Sequence, residues 1–337
     1  MTYLDSKISY CLSSKAITNK DLANEFDEAT ADAIFAKTGI STRFQTEGDI
    51  LASDLGFLAA EKLFSEHNIQ KETIDFIVFV SSCLDYKSPT TACVLQDRLG
   101  LNINIGAIDI LHGCTGFIYG LSTAKGLIAT NQAKNILLIT ADSPSKLVHP
   151  EDLELLSIFS DGAAATLVAN RNSKVSGEIG QFVFGTDGIG AKNLMSTRSG
   201  MRNPTDANWF KENKAVPSGL KWGKLEMNGS QIFIFSIRTV PKLVNDILVK
   251  ESLAIEDIDL FVFHQANGVM LDFLRSKLKI PKKKFYLNIE NKGNTVSATI
   301  PIALKDAFSE GLITKGCKVL VAGFGIGYSW GGTVIRY

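Results

Sequence analysis

Two stretches of this chain of 337 residues echo one another, and that repetition limits the folds open to it more than any single motif does. Residues 73–79 read TIDFIVF and residues 257–263 read DIDLFVF. Downstream of the first, Cys114 opens a helix of small residues; downstream of the second, Asn294 opens another. The run NILLITAD (135–142) is answered by KVLVAGFG (318–325). Each copy closes on a strand rich in small residues, DGAAATLVAN (161–170) and GGTVIRY (331–337). Any two βαβ stretches look alike in part, but here strand, helix start and closing strand recur in one order. Two copies of one α/β unit are expected to bury their faces against each other. Cys114 and Asn294 then stand at related positions about a pseudo-twofold axis. The division expected is 1–172 and 173–337. An irregular insertion is read near 188–228, where long apolar runs give way to Asn, Ser, Gly and Pro.

Hydrophobic periodicity predicts strands at Phe76–Ser81, Ile103–Ile110, Lys134–Thr140, Ala164–Ala169, Leu260–Phe263, Phe285–Ile289, Lys318–Ala322 and Thr333–Tyr337. It predicts helices at Ile50–Phe64, Thr90–Leu99, Thr115–Ala129, Ile232–Lys250, Val269–Leu278 and Ser297–Ser309. Strands alternating with helices of this length indicate an α/β protein.

Charge narrows the function classes. Lys+Arg and Asp+Glu are both 35, so the basic excess of a nucleic-acid or anionic-membrane binder is missing. No run approaches the ~20 apolar residues of a membrane helix. The N-terminal residues MTYLDSKISYCLSS lack a basic segment followed by an apolar one, so no signal peptide is expected. The five cysteines, at 11, 83, 93, 114 and 317, form no CxxC, which supports neither a disulfide framework nor a zinc ribbon. A cytoplasmic protein with reduced thiols is expected, holding no metal.

Cys114 stands in His112-Gly113-Cys114-Thr115-Gly116-Phe117, between a strand-like run ending IDIL and a helix-like run. Helix N-terminal N–H groups and the dipole favour a thiolate, and flanking glycines let a substrate approach the backbone. The competing reading is a small buried hydrophobe, the commoner fate of a lone cysteine; Cys11, Cys83, Cys93 and Cys317 are read that way. His264, in Phe263-His264-Gln265-Ala266-Asn267, lies just past a buried strand, where open α/β sheets place functional groups. A satisfied core histidine is the bland alternative. Asn294 follows Gly293 at a helix start, where a plain N-cap would also explain it. His112 adjoins Cys114, but strand and turn geometry is expected to send it another way. The run Gly323-Phe324-Gly325-Ile326-Gly327 follows a strand and offers a backbone N–H to a developing oxyanion. No helix or acidic partner follows it, so it is not a dinucleotide fingerprint.

HGCTGF, FHQAN, NKGNT, the terminal GFGIGYSWGG…RY, IFSDGAAA (158–165) and TGISTR (38–43) together resemble β-ketoacyl-ACP synthase III of the thiolase superfamily. The resemblance runs from about Lys7 to Tyr337. It implies the five-layered αβαβα thiolase-like fold, two duplicated halves and a homodimer. It also implies an acyltransferase of the 3-oxoacyl-ACP synthase type, with Cys114, His264 and Asn294 as catalytic residues. Cys114 would carry the acyl group, and the N–H groups of Cys114 and Ile326 would form the oxyanion hole. His264 and Asn294 would hold the thioester carbonyl of a malonyl donor as carbon dioxide leaves. The carbanion would attack the acyl-cysteine to give a β-ketoacyl thioester. No cofactor is implied.

The resemblance places substrate-binding positions at Lys37, Ser88, Leu153, Asn228 and Asn267. An aromatic residue and two arginines that hold the coenzyme A adenosine in well-known members correspond to Ala33, Lys37 and Leu153 here. An acyl carrier protein, rather than acyl-CoA, gains ground as the priming donor. Ser88 replaces a bulky aromatic that limits the acyl pocket, leaving room for a longer or branched chain. A specialised role, in secondary metabolism or surface-polymer assembly as much as in fatty acid biosynthesis, is read from these two changes. Carrier-protein docking is read at Arg275, Lys277 and Lys282, with Lys279, Lys283 and Lys284 beside them, although the family's basic positions are Ile234 and Val269 here. Two alternatives stay open: transfer of the Cys-bound acyl group to an alcohol or amine without a new carbon–carbon bond, and a non-catalytic subunit of a heteromeric synthase. The order Cys, His, Asn also suits papain-like proteases, against which the α/β repeat and the lack of disulfides argue.

Overall fold

A computed structural model describes residues 1–27, 29–170, 176–197, 199–202 and 224–337. In chain order its first elements are β1 (Tyr3–Leu12), β2 (Lys15–Thr18), α1 (Asn19–Glu25), α2 (Ala31–Thr38), β3 (Thr42–Gln45), α3 (Ala52–His67), β4 (Phe76–Ser81), α4 (Thr91–Arg98) and β5 (Gly106–Leu111). There follow α5 (Gly116–Ala129), β6 (Asn135–Asp142), α6 (Leu153–Leu156), β7 (Gly162–Ala169), β8 (Ser176–Ile179), β9 (Val183–Thr186), β10 (Leu194–Ser196) and β11 (Leu225–Met227). The chain ends through α7 (Gly229–Glu251), β12 (Leu260–Phe263), α8 (Gly268–Lys277), α9 (Thr299–Ser309), β13 (Lys318–Gly325) and β14 (Ser329–Arg336).

The duplication is visible in hydrogen bonds. In the first copy, Asp75 N–H donates to Asn135 O and the Asp75 carboxylate accepts from Lys134 N–H, 59 residues on. In the second, Asp259 N–H donates to Lys318 O and its carboxylate accepts from Lys318 N–H, again 59 residues on. Each aspartate ties the start of one parallel strand to the next: β4 pairs β6 and β12 pairs β13. In both copies the closing strand is antiparallel, β7 on β6 and β14 on β13.

Side-chain alternation sorts the strands into layers, because successive residues face opposite sides of a sheet. Val78 and Val80 of β4 join one core while Ile77 and Phe79 join another. Leu260 and Val262 of β12 join the first of these, with Phe261 and Phe263 in a third. The shared core also holds Phe117, Ile118 and Leu121 of α5 and Ile300, Ala303 and Leu304 of α9. The outer cores hold α3 and α4 on one side and α7 and α8 on the other. The order is helix, sheet, helix, sheet, helix, the five layers expected. The two inner helices are those opened by Cys114 and Asn294.

The halves are not separate sheets. β1 pairs with β7 of the first copy and β8 of the second, giving the order β12-β13-β14-β8-β1-β7-β6-β4-β5 with β9 on β14. The boundary expected at 172/173 lies outside the described residues, as does 203–223 of the expected insertion. Its described residues include a 3-10 turn at Gly188–Asn193 and two short strands, β10 paired with β11. Phe285–Ile289, expected to be a strand, makes only one bridge, Phe261 to Phe285. It holds the place of β5, where Asn288 N–H and Tyr286 O bond to the Gln265 side chain instead of to a strand.

Candidate active site

Cys114 lies at the end of the tight turn Leu111–Thr115, where Gly116 N–H bonds Gly113 O before α5 begins. The turn packs closely: a Cβ on Gly113 would sit 2.9 Å from the Ile326 side chain. The thiol is 6 % exposed. Burial pushes it up to about 12; the N–H groups of Ile326 and of Cys114 itself bond to the sulfur and pull it down, while the charge of Asp142 pushes it up. The resting side chain is therefore a thiol. The dipole expected to favour thiolate is outweighed by desolvation.

Gly325 brings β13 against this turn, since a Cβ there would lie 2.7 Å from Cys114 Cβ and 2.8 Å from Sγ. Gly325→Ala is expected to slow acylation of Cys114 about 100-fold by displacing the sulfur from the two N–H groups. Timed intact-mass measurement of adduct formation checks this, with an unchanged rate as the contrary result.

His264 follows β12 and is 1 % exposed. Its Nδ1 lies 2.7 Å from Thr299 Oγ1, which is also 3.0 Å from Val296 O. Burial pulls the imidazole down to about 3, opposed by the contact with Val296 O, so the ring is neutral. The Thr299 hydroxyl has one proton: given to Val296 O, it leaves Oγ1 to accept from Nδ1–H; turned to Nδ1 instead, it leaves the ring proton on Nε2 to donate into the cavity. Phe324 meets the ring edge-on at 5.9 Å. Asn294 is fixed by backbone bonds to Ile158 and Ser160. Its Oδ1 accepts from Val296 N–H at 2.9 Å and its Nδ2 donates to Ala266 O at 3.1 Å, which leaves one amide hydrogen for a ligand.

The three side chains line one cavity of about 580 Å³. Its lining extends from Val269, 47 % exposed, to the buried His264. Ala33, Lys37, Leu153 and Asn267 also line it. Cys114 also lines a second cavity of about 450 Å³, with Ile326, Val296, Phe159, Met195 and His112 on its wall. Cys114, Phe159 and Leu194 thus line both.

Other expected positions fall elsewhere. Ser88 is exposed and lines neither cavity, so within one protomer it does not bound the acyl chamber. Its loop turns outward before α4, whose first N–H groups are capped by Asp109. Asn228 is an exposed N-cap, accepting from Gln231 N–H, and only its neighbours Met227 and Gly229 reach the cavity. Asn267 caps α8 and ties α2 through Lys37 O. Arg275 is bound to Asp272 and Ile280 O, and Lys277 to Ile237 O. Lys284 caps Glu256 O and Ile258 O. With Lys282 exposed but outside both cavity linings, this cluster staples the second half more than it forms a basic surface at the cavity mouth.

Asp142 escaped the sequence reading. Fully buried, it accepts from Ser82 N–H at 2.7 Å, Ser82 Oγ at 2.6 Å, Ser297 N–H at 3.0 Å and Ser297 Oγ. It joins the loop after β4 to the start of the Asn294 helix. Burial raises its carboxyl to about 6, against the pull of the Ser297 and Ser82 bonds. The signal was its position: Asp142 ends NILLITAD where the second copy ends on Gly325. Asp142→Ala is expected to cost about 3 kcal/mol by stranding buried donors, read as a lower urea midpoint; an unchanged midpoint would contradict it.

Comparison with known proteins agrees with this architecture. Residues 108–188 match the family described as 3-oxoacyl-[acyl-carrier-protein (ACP)] synthase III, and residues 248–337 match its C-terminal region. The β-ketoacyl-[acyl-carrier-protein] synthase III of Clostridium perfringens is 35% identical over 322 residues, covering 96% of this chain and 95% of the relative. That of Caldanaerobacter subterraneus is 34% identical over 97% of this chain and 95% of the relative. A crystal structure of a 3-oxoacyl-(acyl-carrier-protein) synthase III superposes with a TM-score of 0.94 at 40% identity, with both chains fully covered. The Aquifex aeolicus structure of that name gives 0.87 at 29%, again over all of both chains. Sequence likeness along nearly the whole chain and one shared fold lead to one assignment: the chain belongs to the 3-oxoacyl-[acyl-carrier-protein] synthase III family.

Proposed function

We propose that the protein is a condensing enzyme that makes β-ketoacyl thioesters from an acyl thioester and a malonyl thioester. The observation that carries this is that Cys114 lines both cavities, with His264 and Asn294 lining only one of them. In the first step the sulfur attacks the acyl thioester carbonyl, whose oxygen takes the N–H groups of Cys114 and Ile326. The donor leaves as its thiol, with the proton that Cys114 gave up. The acyl chain occupies the 450 Å³ chamber. The malonyl thioester then enters the 580 Å³ chamber. With the Thr299 hydroxyl turned from Val296 O to Nδ1, His264 donates from Nε2 and, with the remaining Asn294 amide hydrogen, bonds its carbonyl, so the electrons released with carbon dioxide rest there as an enolate. Its carbon attacks the acyl-cysteine; the carbon–sulfur bond breaks and the thiolate takes a proton from water, the one proton the reaction consumes overall. A neutral, buried imidazole suits this work, because the enolate comes from decarboxylation and no strong base is needed.

This reading requires carbon dioxide and a β-ketoacyl product in equal amounts from acyl-loaded protein and malonyl pantetheine. Transfer to an alcohol or amine would release none, and that outcome would replace the reading. Lys37 and Leu153 on the wall, with Ala33, form no aromatic–arginine clamp for an adenosine, which favours a carrier protein as acyl donor.

A homodimer fits the edge of the sheet. β5 ends the strand order, Leu111 at its end is 70% exposed, and Ile103 before it is 86% exposed. An apolar, uncovered edge strand pairs readily with another chain. Leu111 also lines the acyl chamber, so the second subunit would close that chamber. Leu111→Lys is expected to shift the protein from dimer to monomer in light scattering; a monomeric wild type would contradict this.

A further inference from the structure

His112 turns toward the active site. It lines the acyl chamber beside Cys114, contrary to the expectation from strand geometry. Its ring stacks on Tyr119 at 4.3 Å between centroids, and Tyr119 leans on Phe184 at 4.8 Å. Its Nδ1 lies 3.1 Å from Thr115 Oγ1, which lies 2.6 Å from Ser329 Oγ, which donates to Ile326 O at 2.7 Å.

Counting protons along this chain fixes the tautomer. Ser329 spends its one hydroxyl proton on Ile326 O, so it accepts from Thr115. Thr115 has then spent its own proton and accepts from His112 Nδ1–H. The Nε2 of His112 carries a lone pair, and no described residue serves it. Two of the three serine hydroxyls on the chamber wall are committed: Ser82 donates to Asp142 and Ser199 to Ser196 O. The remaining wall is largely hydrocarbon, from Leu111, Leu147, Phe159, Leu194 and Ile326. A plain hydrocarbon chain seated there would bury an unpaired acceptor, whereas one carrying a hydroxyl would pair it.

Resting on the acyl-enzyme reading above, we propose that His112 is a specificity-determining residue that selects hydroxylated acyl groups by accepting a hydrogen bond from the acyl hydroxyl. The same chain of hydroxyls joins that contact to Ile326, whose N–H serves the oxyanion. The test compares pantetheine thioesters of butyrate and of its 2-, 3- and 4-hydroxy derivatives, read as the rate of mass gain on Cys114. Wild type is expected to load at least one hydroxy ester about tenfold faster than butyryl, from the pairing of a buried acceptor. His112→Ala brings that ratio to about one, and His112→Gln, which keeps an acceptor, retains part of it. The ratio is internal, so a partly unfolded variant lowers both rates and leaves it unmoved. Equal loading in wild type, or a ratio that survives His112→Ala, overturns the inference. Butyryl loading on Cys114 with no preference leaves the condensing function standing. No adduct from any ester in wild type overturns both.

Discussion

Cys114→Ala is expected to abolish the acyl adduct and to lower β-ketoacyl formation by about 10⁴-fold or more, the scale on which removing a nucleophile acts. Cys114 lines both cavities, and the backbone N–H groups of Ile326 and of Cys114 itself act on its sulfur. Alanine removes the sulfur that the proposed mechanism acylates. Intact-mass measurement after incubation with acyl donor separates a lost adduct from a moved one. A persisting adduct in Cys114→Ala would place the nucleophile elsewhere; Cys83, the other buried-side thiol near Asp142, has its own sulfur pushed up by burial and lines neither cavity.

His264→Ala and Asn294→Ala are each expected to slow carbon dioxide release and condensation by about 10²–10³-fold, the usual effect of losing one donor to a developing oxyanion. Acyl loading of Cys114 should continue in both, because neither side chain lines the acyl chamber. The two steps are read separately, loading by intact mass and decarboxylation by labelled carbon dioxide from malonyl pantetheine. Variants that lose loading and decarboxylation together would show that these residues serve the first step or the fold instead. Asn294 is also held by Val296 and Ala266, so Asn294→Asp, which keeps the acceptor to Val296 N–H, tests the amide hydrogen with less disturbance.

That Cys114, His264 and Asn294 would share one cavity was legible because each sits at a joint the repeat marks: Cys114 and Asn294 at the two inner helices and His264 just past β12. The strands Phe76–Ser81 and Leu260–Phe263 match at both ends, since they are buried on both faces and read as unbroken apolar runs. β1 was missed for the opposite reason. Its sequence YLDSKISYCL mixes charge with apolar residues, and only its partners β7 and β8 show that it joins the halves. Phe285–Ile289 has the composition of a strand, yet Gln265 supplies the hydrogen bonds that a ladder would have supplied. Asp142 and the tilt of His112 were hidden because each depends on a residue far along the chain, Ser297 in one case and Ser329 in the other. Pairings of that range leave no local pattern. The basic residues have a second part that composition does not show: Arg275, Lys277 and Lys284 bond the carbonyls of Ile280, Ile237 and Ile258.

The central claim is that one sulfur receives from one chamber and delivers to the other. A crystal structure of the protein trapped with a slowly turned-over acyl donor tests it most directly. The account predicts a thioester on Cys114, its carbonyl oxygen about 2.7–3.1 Å from the N–H nitrogens of Cys114 and Ile326, its chain beside Val296 and Ile326, and the space before His264 and Asn294 left open. An acyl group bonded to any other residue, or a chain lying against His264 and Asn294, would contradict it.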